Sequence, residues 1–237
     1  MSGLSGLSGL SGLSGVMGGG LPCYYLTFDA VPNDYVTLAG LALTAPFTVV
    51  AWTKRRVAGV IHGILAGAAV TSNLYVTNTN TMIGRHAGDT QGSATASATT
   101  AWCHRGYIVR TSVADHKFFR DGVDTTDAAG TANANAATYT VIGARTSGTA
   151  GWWDGQLAAI GIAPGELDVA AMYAAGTFHR PLDPLVFTLA CWNMRQELGA
   201  GTTLVDEAIG ANGTFKGAGE PAWGGLMSVG GPAGWSD

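Results

Sequence analysis

The residue types that could do chemistry in this chain are few, and their spacing is poor for catalysis. Hydrolysis of a glycosidic bond needs two carboxyls placed on either side of it. The 237 residues include only four glutamates, Glu166, Glu197, Glu207 and Glu220, all outside the runs that read as central strands, and no Glu-x-Asp-x-x-Glu strand occurs. Asp154 follows Trp152-Trp153, and an aromatic beside a carboxylate suits a sugar; the alternative is that Trp153-Asp154-Gly155 is a structural turn. No Gly-x-Ser-x-Gly elbow stands in a strand-to-helix context. Cys103 adjoins His104, but neighbouring strand residues point to opposite faces, so a buried thiol and an exposed imidazole are expected. His62, His86, His104, His116 and His179 show no paired spacing of the kind zinc requires. The chain therefore reads as a non-enzyme.

Composition narrows the remaining classes. Charged residues make up 12% of the chain and the net charge is −4, against about 25% charged in ordinary domains. The largest basic cluster is Lys54-Arg55-Arg56, too small a footprint for a nucleic-acid backbone. Mean hydropathy is +0.22, yet the longest apolar stretch, Val57 to Val70, is broken by His62 and its glycines and falls short of a membrane span. The surplus of apolar residues points to burial at subunit interfaces. Cys23, Cys103 and Cys191 are an odd set without short spacing, which fits buried free thiols. The N-terminus has neither the basic nor the apolar region of an export signal. The expectation is a protein assembled in a host cytoplasm and released on lysis.

The elements that must position any site fall into three parts. Residues 1–20 open with a strict Ser-Gly-Leu repeat: Gly3, Gly6, Gly9, Gly12 and Gly15 alternate with Leu4, Leu7, Leu10 and Leu13. Glycine at every third position is the signature of three extended chains meeting at a crowded axis. These positions form the predicted anchoring arm, an extended collagen-like Gly-X-Y segment, although proline is absent from it. A flexible linker is the competing reading. Gly18-Gly19-Gly20 then marks a hinge.

From residue 21 to 180, short β-rich runs alternate with Gly, Asn, Asp, Ser and Thr clusters. Strands are predicted at Tyr24–Phe28, Tyr35–Leu38, Phe47–Thr53, Val60–Leu65, Leu74–Thr77, Met82–Arg85, Tyr107–Val113, Lys117–Arg120, Tyr139–Ile142 and Gln156–Ile162. Asp121-Gly122 between apolar residues signals a tight hairpin. Gly88 to Thr100 and Asp127 to Ala137 read as loops. One helix is predicted from Pro164-Gly165-Glu166 to Gly176. Many short strands with frequent turns make an all-β antiparallel sandwich.

These runs also carry a resemblance. Phe28 to Val36, Phe47 to Trp52, Trp102-Cys103-His104-Arg105, Phe119 to Val123, Ile142-Gly143 and Trp153 to Leu157 resemble, in order, the motifs of laminin-G-like, concanavalin A-like jelly rolls. A further stretch, Ala190 to Met194 with Gly201 to Asp206 and Gly210 to Thr214, resembles the segment that usually precedes that jelly roll. Here it follows, so residues 181–237 either complete the same sandwich or begin a second module; their length favours completion. The resemblance implies sugar binding, for which Trp152, Trp153, Trp223 and Trp235 are the candidate glycan contacts, unless they pack under loops. It also implies a candidate structural calcium at Asp206 and Asn212, against which Glu207-Ala208 replaces the expected small polar pair.

A glycine-repeat arm joined to a lectin-like sandwich resembles the decoration and fibre proteins of bacteriophage virions. On that resemblance the chain is a structural virion protein at the particle surface. It would be a homotrimer nucleated by its arm, contacting capsid or other virion proteins and host-surface glycans. The alternative is a soluble or surface bacterial carbohydrate-binding lectin or adhesin.

Overall fold

The computed structural model describes residues 24–31, 33–68, 71–88, 92–95, 100–111, 116–128, 130, 135–175, 182–194 and 201–224. The Ser-Gly-Leu arm and Trp235 lie outside them. The described strands are, in chain order, β1 (Leu26–Phe28), β2 (Tyr35–Thr44), β3 (Phe47–Arg55), β4 (His62–Gly67), β5 (Asn73–Val76), β6 (Thr81–Arg85), β7 (Gly92–Thr95), β8 (Cys103–Val109), β9 (Lys117–Arg120), β10 (Val123–Asp124), β11 (Thr126–Ala128), β12 (Ala136–Ile142) and β13 (Gly155–Pro164). The helix α1 (Val169–Ala174) follows, then β14 (Ala190–Trp192), β15 (Thr203–Leu204), β16 (Gly213–Lys216) and β17 (Ala222–Trp223). They build an all-β antiparallel sandwich of jelly-roll type. One sheet runs β10-β9-β8-β3-β13-β1-β17, with β14 also on β13; the other runs β11-β7-β6-β5-β4-β12-β2-β16-β15.

Alternation explains the packing. Phe47, Val49 and Ala51 of β3 face the other sheet, where they meet Val36, Leu65, Leu74, Tyr139 and Ile142. Val50 and Trp52, on the opposite face of the same strand, belong to a second apolar layer with Ile108, Phe119, Val169, Leu182 and Phe187. That layer lies between the first sheet and a cover made by α1 and the 182–187 segment. Central strands buried on both faces read as continuous apolar runs, and this accounts within a single chain for part of the low charge that the sequence assigns to subunit contacts.

Several local readings change. The helix begins at Val169 rather than near Pro164, because β13 continues to Pro164 and Asp168 is the N-cap, its carboxylate accepting the Ala171 N–H at 2.9 Å. Gly92–Thr95 is a strand, held by backbone pairing to β6 and β11 despite its small side chains. His104 is fully buried. It does face the outer side of its strand, but Trp52 and Tyr173 of α1 close over it with ring centroids 5.2 and 5.4 Å away. Asp121 and Gly122 both have positive φ, 50° and 79°, as a two-residue hairpin turn requires. The chain beyond residue 181 adds strands to both sheets: β14 and β17 to the first, β15 and β16 to the second.

Candidate functional site

Three connections and one turn meet at the end of the sandwich where β3 and β1 finish and β4 and β13 begin. They border an open, shallow depression of about 510 Å³, here called the cleft, lined by Val57, Val60, Ile61, Asn78, Trp152 and Asp154 among others, a volume in the range of small-molecule sites. The Trp152 indole is seated from behind: its Nε1–H donates to the Gly148 carbonyl at 3.0 Å, and its ring packs on the Ala66, Val141 and Ala144 cluster. Backbone bonds tie the walls to the sheets, Gly63 N–H to Gly151 O at 2.7 Å and Arg56 N–H to Asp154 O at 2.8 Å.

His62, the first residue of β4, joins the two walls. Its Nε2 lies 3.0 Å from the Val57 carbonyl, and its Nδ1 accepts the Asp154 N–H at 3.2 Å. Only the neutral ring with its proton on Nε2 satisfies both bonds. Burial lowers its pKa to about 4, against the opposing bond to Val57 and assisted by the charges of Arg55 and Arg105. Its ring also packs on Trp153 at 5.2 Å. At the rim, Arg56 sits between two carboxylates, 2.9 Å from Asp154 and 3.4 Å from Asp29. The first contact is a close ion pair that lacks the angle of a hydrogen bond. Burial raises the Asp154 carboxyl above its ordinary range, Arg56 pulls it down, and Asp29 pushes it up again.

The predicted residues separate clearly. Trp152 lines the cleft. Trp153 does not: it is fully buried in the main core, because consecutive residues in extended chain point to opposite sides, so its assignment as a glycan contact is withdrawn. Trp223 sits on the edge strand β17, half-buried against Phe215, its Nε1–H donating to Gly201 O at 3.1 Å. It does not line the cleft. Trp235 and the arm residues lie outside the described residues.

The calcium assignment is also corrected. Asp206 is buried, and its two carboxylate oxygens accept four backbone N–H groups: those of Cys191 (2.7 Å) and Ala208 (3.1 Å) on Oδ1, and those of Ile209 (3.2 Å) and Ala211 (2.8 Å) on Oδ2. The Asn212 Oδ1 accepts the Asp206 N–H at 2.9 Å. A carboxylate ringed by N–H dipoles anchors backbone, and the positive ends of those dipoles repel a cation. Among the described residues no group of three His, Cys, Asp or Glu side chains is placed to hold a metal. Burial pushes the Cys103 thiol up to about 11, which keeps it protonated and unreactive at neutral pH.

Sequence reasoning missed Val57, Val60, Ile61, His62 and Asn78. One signal was present: the apolar run from Val57 is interrupted by a single histidine, His62.

No family model matches the chain, and no curated protein matches it. Solved structures do. A candidate carbohydrate binding protein from Bacteroides ovatus aligns over 90% of this chain at 12% identity, with a TM-score of 0.63. The chain spans 62% of the length of that protein. The CBM40 of Ruminococcus gnavus IT-sialidase aligns over 67% of this chain and 99% of its own, at 14% identity and a TM-score of 0.46. A SAP-like pentraxin from Limulus polyphemus aligns over 65% and 76%, at 14% identity and a TM-score of 0.38. At 12% identity the likeness to the Bacteroides ovatus protein is one of fold.

Proposed function

We propose that this chain is a non-catalytic carbohydrate-binding sandwich whose ligand lies in the cleft at Trp152. The observation that carries the reading is the placement of that indole: half-buried, hydrogen-bonded at its Nε1 away from the cleft, and presenting ring surface to a space of about 510 Å³. A rigidly seated aromatic with a few polar groups around it is the usual construction of a small-ligand site. The fold shared with the Bacteroides ovatus protein, described as a candidate carbohydrate binder, supports the same reading. The carboxylates nearest the cleft, Asp29 and Asp154, are joined through one guanidinium, which suits a fixed rim more than an acid–base pair.

A saccharide panel presented to the full chain tests this. Binding at micromolar to millimolar affinity, lost in Trp152→Ala with the thermal transition retained, supports it. A Trp152→Ala variant that binds as well as the parent removes the cleft from consideration.

A second reading concerns where the sandwich works. The glycine period from Gly3 to Gly15 and the low charge support a virion protein held on its particle by the arm, the cleft facing host-surface glycans. About 15 residues of polyproline II would reach roughly 45 Å. Deleting residues 2–15 discriminates: a particle protein loses attachment, whereas a free lectin keeps all of its behaviour.

A further inference from the structure

The geometry points to a ligand class more specific than saccharide in general: the cleft selects neutral sugars that carry a methyl group, as 6-deoxyhexoses and N-acetylhexosamines do. The inference rests on the carbohydrate reading above and deepens it.

The apolar part of the lining is built from Val57, Val60 and Ile61. Val57 and Val60 are 41% and 42% exposed, and Val31, next to the cleft residue Ala30, is 90% exposed. Large apolar residues this exposed are few in the described chain: Val123, Leu185 and Ile209 are the others. Two of the six therefore line one cleft and a third, Val31, follows its residue Ala30 in sequence; exposed apolar side chains collected at one site mark a contact surface. Their position is fixed rather than incidental. His62 holds the Val57 carbonyl, and Ile61 packs against the Cα of Gly151, where a Cβ would approach within 2.9 Å.

A hexose hydroxymethyl pressed against three aliphatic side chains would lose its hydrogen bonds to water and find no partner. A methyl at the same place loses nothing and gains burial. Selection between the two is on the order of tenfold, as for other single-group differences in apolar pockets. Orientation comes from the remaining lining residues. Trp152 offers a flat face to the ring, Asn78 offers an amide that both donates and accepts, and Asp154 offers a carboxylate acceptor to hydroxyls. At the rim two carboxylates, Asp29 and Asp154, flank the guanidinium of Arg56, which disfavours an acidic sugar at that edge.

Calorimetry or saturation-transfer NMR on the full chain with matched pairs tests the inference: L-fucose against L-galactose, L-rhamnose against L-mannose, N-acetylglucosamine against glucose, and glucuronic acid as the charged probe. The expected result is tighter binding, about tenfold, of the methyl-bearing member of at least one pair, with weaker binding of the acid. Val60→Thr keeps the side-chain shape and replaces one methyl by a hydroxyl; it should erase the preference while total binding survives. Equal binding within every pair, or a preference unchanged in Val60→Thr, overturns the inference and leaves the carbohydrate reading standing. No binding by any probe, with Trp152→Ala indistinguishable from the parent, overturns both.

Discussion

The backbone N–H of Asp154 donates to Nδ1 of His62 across 3.2 Å, so a buried imidazole in its neutral form closes the junction between the β3–β4 and β12–β13 connections. Protonation of that nitrogen removes the acceptor and sets two N–H groups against each other.

Stability should therefore fall on acidification through a defined window. The unfolded chain takes up the proton near pH 6.5, the folded chain only near 4. Between those values the unfolded state binds more protons, so stability declines as pH falls; the contribution is complete above 6.5 and gone below 4. At about 1.4 kcal/mol per unit the loss is about 3 kcal/mol. Urea unfolding of the parent and of His62→Gln, whose amide does not titrate, measures the difference. Identical pH slopes in the two proteins would remove His62 as the cause.

Asp206 should behave as an anchor and not as a metal ligand. Asp206→Ala leaves four backbone donors without their acceptor and should lose about 3 kcal/mol of stability. Millimolar calcium should leave the melting temperature of the parent unchanged. A calcium-dependent rise that disappears in Asp206→Ala would restore the metal site, since a ion bound only by the folded state must stabilise it.

Gly63 should tolerate nothing larger. A Cβ there would lie 2.1 Å from the Ala144 carbonyl carbon and 2.3 Å from the Arg145 nitrogen, backbone atoms that cannot rotate aside. Gly63→Ala should cost about 3 kcal/mol and weaken ligand binding, because the displaced segment leads into Trp152. Gly210→Ala is the control. It meets no atom within 4 Å and carries only its φ of +78°, so it should lose about 1 kcal/mol. Equal losses at the two sites would refute the close-approach account.

The arm makes a separate prediction about association. Replacing Gly6, Gly9 and Gly12 by Ala should shift a trimeric parent toward monomer in sedimentation velocity, with the sandwich still folded, since only glycine fits a three-chain axis. A parent that already sediments as a monomer would reduce the arm to a tether.

Much of the architecture was readable from short-range pattern. The Phe47–Trp52 run, buried on both faces, and the Asp121-Gly122 turn each encode their structure locally. Gly92–Thr95 did not, because a strand held by backbone pairing needs no diagnostic side chains. The cleft was readable only in part. Trp152 and Trp153 are chemically identical neighbours, and which one faces outward depends on the path of the connection, not on residue type. Val60 read as the start of a strand and Val57 as the start of an apolar stretch, whereas the fold places both in one lining with Asp154, nearly a hundred positions away. Asp206 carried a plausible ligand pattern, but the destination of the nearby backbone N–H groups decided its role.

The short strand β1 has a mechanical meaning. It is paired antiparallel with β13 on one side and β17 on the other, and its last residue leads directly into the cleft at Ala30. A pull applied at Tyr24 and resisted by whatever occupies the cleft runs along the axis of β1, so its ladder bonds are sheared together instead of unzipped one after another. Force between β1 and β17 follows a different course, through the edge the two strands share. Were the N-terminal arm to carry load, as the anchoring proposal requires, β1 would meet that load in shear.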